Sequence, residues 1–463
     1  MRPGTGQSTV LPHPCRCCQR SLTENNINNL LENESHKINL KRNLDEYQPI
    51  RIHLITARLN ATYENEGMTG EIQMQIINKA LNQAKEALQK LINVKRNNKI
   101  QIPQDIMNQI KLDGFFIDKD SISNEYESDL VIFIRVKYYS ETFNTDCLSI
   151  PRIYLREDNN GDIGRPIVGG IIYNSVYSLS NDENQRIQAL KIIFLHEFTH
   201  ILGFEQTILN EKKFIETIVS NRIDDKYITK KVIISERVLT KAKEYFNCSK
   251  IKGIELDTEN ILEGNEFIHW EGRLLLGEYM TSELYYPEQV ISEFTLALLE
   301  DLGWYKVNYY TGGLMKFGKY KGCEFINGDC VIINEGIISS RFPNDFCSLN
   351  TFGTCSAGRQ SRGYCYTETS VSNVENKGFK RKGWEEKYGI AISDYCPATF
   401  ETKITKNSHP YYIGSCKYGN NNYGNEMKVK DDLSYSYNEF SDNFVEKYGD
   451  DSFCLLSSIK KKK

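Results

Sequence analysis

Three side chains at residues 196–200 could bind and use a metal ion. His196 and His200 are four residues apart, so on an α-helix both imidazoles lie on one face and can share an ion. Glu197 follows the first histidine, which places its carboxylate beside the ion, where it can activate a bound water molecule. Two imidazoles, one further ligand and an open water position are typical of catalytic zinc, so the pattern predicts one Zn²⁺ ion.

A chance match is the competing interpretation of this motif. A histidine on the apolar face of a helix is most often a buried core residue, and five-residue patterns do arise by accident. The chain contains only seven histidines, so an accidental His-Glu-x-x-His is rare in a chain of this kind. We therefore favour the metal site.

The surrounding sequence predicts the elements that must position the motif. Residues 180–183 form a polar segment suited to capping a helix, and apolar side chains then recur every three or four residues as far as Ile201. Upstream, residues 51–63 and 129–136 have the pattern of strands, and residues 69–94 that of a long amphipathic helix. An α+β fold, with a mixed sheet and long helices packed on it, is expected.

A further strand is predicted at residues 164–174. Pro166 lies within it and has no backbone N–H to give to a sheet ladder. Proline in a strand is mostly confined to sheet edges, so we expect this strand at an edge.

Composition narrows the class of protein. The chain has 463 residues, is 40% hydrophobic and 25% charged, and has a net charge of −4. This is ordinary globular composition with length for two to four structural units, and it gives no reason to expect nucleic acid as a partner. No apolar run reaches the roughly 18 residues of a membrane helix, and the first residues lack the apolar core of a secretory signal. Either the protein is intracellular or its N-terminus is incomplete.

The cysteines favour the second possibility. Eight of the thirteen lie between residues 323 and 454 at irregular spacing, which predicts a disulfide-rich C-terminal domain in an oxidising compartment. Ten cysteines from Cys147 onward permit five bridges of unreadable connectivity. Glycosylation acceptor patterns at Asn33, Asn60 and Asn247 agree with an extracellular or cell-surface protein. The alternative is an intracellular protein with reduced cysteines, which a count of free thiols would decide.

Downstream residues extend the motif into a pattern that resembles a known family. His269 follows His200 after 69 residues and is followed by Trp-Glu, and Met280 comes eleven residues later. Together with Gly203, these residues resemble the leishmanolysin-type metallopeptidases, a branch of the metzincins. Compact metzincins have a third histidine where this chain has Gln206. Leishmanolysins differ from them by an insert before that histidine. The resemblance covers roughly residues 46–458.

The resemblance implies a role for each matched residue. It makes His196, His200 and His269 the zinc ligands. It makes Glu197 the general base and proton shuttle, and it places Met280 in a turn packed beneath the metal.

It also implies where substrate and leader lie. The strand at residues 164–174 becomes the sheet edge beside the cleft, where an extended peptide adds as one more strand. Family leaders often hold a cysteine that binds the zinc of an inactive zymogen, and Cys15 is the candidate, with a disulfide as the alternative. The residues of the substrate edge strand are then Val168, Gly169, Gly170 and Ile171.

Under this interpretation the chain is a metzincin-like catalytic domain with an inserted subdomain and a disulfide-rich C-terminal domain. A helix is predicted at residues 287–302, with Pro287 in its first turn. The segments are a leader or pro-segment remnant (1–45), the N-terminal catalytic subdomain with the zinc helix (46–204), the insert (205–268), the third histidine with the Met-turn and a helix (269–320), and the Cys-rich C-terminal domain (321–463).

We predict a zinc metalloendopeptidase that hydrolyses extracellular proteins or peptides, with Glu197 activating a zinc-bound water. We expect it to be a monomer. One alternative is a catalytically inactive cell-surface adhesion or binding module on the same fold. Another is a zinc protease of a different clan, in which a downstream glutamate replaces His269.

Overall fold

The computed structural model describes the greater part of the chain between residues 47 and 401. The leader with Cys15 and much of the predicted Cys-rich domain lie outside the described residues. The described residues are 47–56, 70–96, 99–115, 125–137, 149–157, 162–174, 183–222, 226–257, 268–282, 289–309, 315–334, 337–343, 345–347, 352–355, 357, 362–366, 393 and 396–401.

The described chain contains both helices and strands. The helices are α1 (Gly70–Leu91), α2 (Gln104–Leu112), α3 (Glu183–Leu202), α4 (Gln206–Glu211), α5 (Glu236–Phe246), α6 (Gly272–Leu275), α7 (Glu293–Asp301) and α8 (Cys323–Asn327). The strands are β1 (Tyr47–Pro49), β2 (Ile52–Thr56), β3 (Ile92–Lys95), β4 (Ile100–Gln101), β5 (Glu125–Tyr126), β6 (Leu130–Lys137), β7 (Ser149–Arg156), β8 (Pro166–Asn174), β9 (Ile215–Arg222), β10 (Lys226–Ile233), β11 (Ile254–Glu255), β12 (Tyr305–Val307), β13 (Val331–Asn334), β14 (Ile337–Ser340), β15 (Phe352–Cys355), β16 (Arg362–Tyr366) and β17 (Ala398–Glu401).

A four-stranded mixed sheet packs against α3, the helix that contains His196 and His200. Its order is β2-β6-β8-β7, with β2, β6 and β8 parallel and β7 antiparallel to β8. Alternate side chains of β6 point to opposite faces. Ile132 and Ile134 pack in the core shared with α1 and α3, whereas Val131 and Phe133 pack in the core shared with α2. Burial on both faces explains the nearly continuous apolar run of β6. The mixed sheet with packed helices confirms the broad fold prediction.

The predicted edge position of the strand containing Val168, Gly169, Gly170 and Ile171 is wrong. These residues belong to β8, which pairs with β6 on one side and with β7 on the other. Pro166 is compatible with this interior position because it is the first residue of its strand. Within the described residues, β7 is the outer strand next to α3.

The glycines of β8 bring neighbouring elements close to the sheet. A Cβ on Gly169 would lie 2.6 Å from Cγ2 of Ile201 in α3. A Cβ on Gly170 would lie 2.8 Å from the Tyr154 ring on β7. The absence of side chains there lets α3 approach the strand closely.

Two predicted helix boundaries differ from the structure. The first helix ends at Leu91, because the chain turns directly into β3, which pairs with β1 and β12. The helix predicted from Pro287 begins at Glu293, capped by Ser292, whose hydroxyl accepts the backbone N–H groups of Phe294 and Thr295. A serine N-cap therefore sets the start of α7.

The chain between α4 and the third histidine contains an antiparallel sheet of order β11-β10-β9 and helix α5. Disulfides join Cys248 to Cys323 and Cys330 to Cys396. These bridges confirm disulfide bonding at and beyond residue 248, while the division into five segments stays a prediction. No helix among the described residues has both the length and the hydrophobicity needed to cross a membrane.

Candidate metal centre

His196 and His200 lie in a fully buried segment of helix α3. Every residue from Ile193 to Leu202 is buried, as expected for a helix that is apolar around most of its circumference. Gly203 ends the helix at φ +126°, where a Cβ would lie 2.8 Å from Cδ1 of Leu302. Glycine suits this turn because it adopts a positive φ without strain and leaves room for Leu302. The turn brings the carbonyl of Phe204 back towards the helix.

The structure brings His196, His200 and His269 together. The Nε2 atom of His196 lies 3.0 Å from Nε2 of His200, and Nε2 of His269 lies 3.2 Å from each of the other two. An ion about 2.0–2.1 Å from each nitrogen, the usual Zn–N distance, fits over a triangle of this size. Among the described residues, these three form the one group placed to hold a metal ion.

Backbone carbonyls set the tautomer of two of these histidines. Nδ1 of His196 lies 2.6 Å from the carbonyl oxygen of Tyr279, and Nδ1 of His200 lies 2.8 Å from that of Phe204. A carbonyl only accepts, so each Nδ1 carries the proton and donates it, which leaves the Nε2 lone pair free for a metal.

Burial keeps the three imidazoles neutral. It lowers the pKa of His196 to about 4, opposed by the hydrogen bond to Tyr279. It also lowers the pKa values of His200 and His269 well below the ordinary value, with repulsion from neighbouring histidines adding to the effect. Neutral imidazole is the form that binds a metal.

His269 reaches the triad from a strand-like segment next to β11. The backbone N–H of Asp257 donates to the His269 carbonyl at 3.0 Å, and Trp270 forms an antiparallel bridge with Leu256. On its other side, the Trp270 N–H donates to the Met280 carbonyl at 3.0 Å. The third ligand is thus held between the insert and the segment around Met280.

Met280 lies in a tight turn that contacts α3. The turn comprises residues 278–281, and its Thr281 N–H donates to the Glu278 carbonyl at 3.3 Å. Met280 is fully buried. Beside it, the Tyr279 hydroxyl lies 2.7 Å from Oγ1 of Thr199 in α3. The structure therefore places the predicted turn against α3, and the packing of Met280 beneath a metal stays a prediction.

Glu197 is buried next to His196 in α3, with 4% of its surface exposed. A buried carboxylate next in sequence to one of three neutral, converging imidazoles is the combination that hydrolytic zinc sites use to activate water. The arrangement can therefore support metal-assisted hydrolysis.

Sequence reasoning missed the outer strand β7 and the buried carboxylate of Glu278. In β7, apolar Pro151, Ile153 and Leu155 alternate with polar residues, a period of two that could have identified a strand. Glu278 lies in the mostly apolar stretch Leu-Leu-Leu-Gly-Glu-Tyr-Met at residues 274–280, and these apolar neighbours are the local signal that the fold buries it completely.

Comparison with known proteins gives a consistent family. A model of the leishmanolysin family matches residues 39–457. A leishmanolysin-like peptidase of Drosophila pseudoobscura pseudoobscura is 28% identical over 308 residues, covering 54% of this chain and 44% of that protein. A leishmanolysin homolog of Crithidia fasciculata is 31% identical over 217 residues, covering 45% of this chain and 31% of that protein. Leishmanolysin of Leishmania donovani is 27% identical over 259 residues, covering 55% and 39% respectively.

The matched region spans less than half the length of each of these three relatives. The family model, in contrast, covers nearly all of the present chain and includes the three histidines, Glu197 and Met280. The chain belongs to the leishmanolysin family.

Proposed function

We propose that this chain is a zinc-dependent metalloendopeptidase. The observation that carries the proposal is the convergence of the His196, His200 and His269 Nε2 atoms within 3.0–3.2 Å, with Glu197 buried next to His196 in the same helix. Membership in a peptidase family supports it. The three imidazoles would hold one zinc ion, which when bound supplies Lewis-acid polarisation of the peptide carbonyl and lowers the pKa of water.

Glu197 is the proposed general base. It accepts a proton from the attacking water and delivers it to the amine nitrogen of the leaving peptide, so one carboxylate serves both steps. Burial of this residue and its neighbours excludes bulk water, which strengthens electrostatic interactions within the site. His196 and His200 stay fixed during the reaction because their Nδ1 hydrogen bonds hold the rings.

The substrate is proposed to add a strand to the outer side of β7. Within the described residues β7 pairs only with β8, and α3 packs against β7, so an extended peptide on the outer side would run close to the triad. Tyr154 holds the strand through a 2.7 Å hydrogen bond from its hydroxyl to the Asp113 carboxylate. This moves the proposed substrate contact from β8 to its neighbour.

Extracellular proteins are the proposed substrates. The bridges Cys248–Cys323 and Cys330–Cys396 support an oxidising compartment, since disulfides persist there and are rare in reducing cytosol.

Cleavage of denatured casein by the purified protein tests the activity. We expect cleavage that a zinc chelator abolishes and added zinc restores, with about one zinc per chain. Bound zinc without cleavage of any protein tried would instead favour the inactive binding module. Absence of bound zinc would contradict the metal site itself.

Backbone methylation of a substrate peptide tests strand addition on β7. A strand added to a sheet edge directs alternate backbone N–H groups towards that edge. We therefore expect N-methylation of alternate residues near the scissile bond to raise KM at least about tenfold, while methylation of the intervening residues changes KM less than about twofold. KM values for a series of singly methylated peptides give the measurement. A uniform effect along the peptide would contradict the proposal.

A further inference from the structure

Glu278 is a buried carboxylate outside the metal triad. Its side chain has 0% exposure, and no basic side chain among the described residues forms an ion pair with it. A buried carboxylate is unfavourable unless hydrogen bonds replace its water. Its partners therefore indicate what it does.

The donors to Glu278 come from two separate segments. Its Oε1 atom accepts the Thr295 hydroxyl at 2.6 Å and the Ser292 hydroxyl at 2.9 Å, both from the start of α7. The Ser292 backbone N–H lies 3.4 Å from the same atom. Its Oε2 atom accepts the backbone N–H of Met280, within the turn at 278–281. The Glu278 carboxylate therefore connects this turn to the start of α7 through hydrogen bonds.

The directions of these hydrogen bonds require an acceptor at this position. The Trp270 indole can only donate, and it donates to the Thr295 hydroxyl at 2.8 Å, so the hydroxyl hydrogen is left for Glu278. The Ser292 hydroxyl accepts the backbone N–H of Phe294, which directs its hydrogen to Glu278 as well. A side chain that only accepts satisfies both hydroxyls and the turn.

The turn at residues 278–281 contacts the segments that carry His196 and His269. The carbonyl of Tyr279, next in the chain, accepts the Nδ1 proton of His196 at 2.6 Å. The carbonyl of Met280 accepts the backbone N–H of Trp270 at 3.0 Å, and Trp270 adjoins His269. Glu278 is also linked to Trp270 through side chains, since the Thr295 hydroxyl donates to Glu278 and accepts the Trp270 indole N–H.

We propose that Glu278 is a positioning residue for the metal centre: its carboxylate locks the turn at 278–281 onto α7, which holds His196 and His269 in the geometry that binds zinc. The inference rests on the proposed zinc site.

Glu278→Gln tests the proposal with little change in shape. Glutamine turns one acceptor oxygen into an NH2 group, which must face either the Met280 N–H or the two hydroxyls, and both are donors. We expect zinc to bind about 10- to 100-fold more weakly, the range found when groups that orient metal ligands are replaced. Burial raises the pKa of Glu278 to about 7, so competition with a chromogenic chelator at about pH 8 compares the variant with an ionised carboxylate.

Asp301→Asn is the matched control, because Asp301 is a buried carboxylate at the other end of the same helix. Its side chain has 4% exposure and accepts the backbone N–H of Arg237 at 2.9 Å, which ties α7 to α5 and not to the turn. We expect this variant to unfold more easily while its zinc affinity stays within about twofold of the parent.

Thr295→Val gives a second measurement that does not depend on Glu278→Gln folding. It removes the hydroxyl that links Trp270 to Glu278 and keeps the Glu278 carboxylate, so we expect zinc to bind at least about threefold more weakly. At saturating zinc, Glu278→Gln and Thr295→Val should both show reduced kcat. Their KM should stay within about twofold of the parent value, since the proposed substrate strand β7 is not altered.

Unchanged zinc affinity in Glu278→Gln, despite a lower unfolding midpoint of the zinc-free protein, would show a purely structural role and overturn the inference. If that variant does not fold, unchanged zinc affinity in Thr295→Val overturns it equally. A parent protein that binds no zinc would instead overturn the proposed function.

Discussion

Glu197→Gln is expected to lower kcat/KM for peptide hydrolysis by about 10²- to 10⁴-fold while leaving about one zinc bound per chain. Glutamine keeps the shape of the side chain but cannot accept a proton from water. The three imidazoles that would hold the ion are untouched, and their Nε2 atoms remain 3.0–3.2 Å apart. Loss of rate without loss of metal is therefore the specific sign of a general base.

The measurement combines initial rates on a fluorogenic peptide with zinc content from atomic emission. Glu183→Gln provides the matched control, because Glu183 is the first residue of the same helix and is 54% exposed in its pair with Lys79. We expect that control to keep its rate within about twofold. A Glu197→Gln rate within about fivefold of the parent would eliminate this carboxylate as the base.

The proximity of His196 and His200 was predictable because its geometry is local. A four-residue spacing on a helix fixes the relative direction of His196 and His200 whatever the rest of the fold does. His269 could not be assigned from spacing, since it reaches the site through the Leu256–Trp270 bridge between distant segments. Only the resemblance to a family supplied that residue.

Other features depended on tertiary context that local patterns do not carry. Pro166 favoured a sheet edge, but proline at the first position of a strand leaves the rest of the ladder intact, so β8 pairs on both sides. Pro287 suggested a helix start. Helix α7 instead begins at Glu293, because the Ser292 hydroxyl caps it by accepting the first free helical N–H groups. The Tyr279 and Phe204 carbonyls that orient the histidines are backbone atoms, which sequence patterns cannot single out.

His269→Ala is expected to weaken zinc binding by about 10²- to 10³-fold and to reduce peptidase activity accordingly. Structural zinc binds with about 10–16 kcal/mol, so one ligand in four accounts for roughly 2.5–4 kcal/mol. The backbone N–H of Asp257 donates to the His269 carbonyl, and the N–H of the adjoining Trp270 donates to the Met280 carbonyl. Neither hydrogen bond involves the His269 imidazole. The variant should therefore fold and lose metal selectively.

Two further variants separate this assignment from a site with a glutamate as third ligand. The Glu271 carboxylate accepts the backbone N–H of Arg273 at 2.9 Å and caps α6, so Glu271→Gln should retain zinc. His53→Ala, on an exposed position of β2, controls for the loss of any histidine and should bind zinc as the parent does. Zinc affinities from chelator competition decide between the alternatives. Retention of zinc by His269→Ala together with its loss in Glu271→Gln would assign the third ligand to the glutamate. It would also place this centre outside the metzincin pattern, because the convergence of three imidazole nitrogens would then not be the geometry that binds the ion.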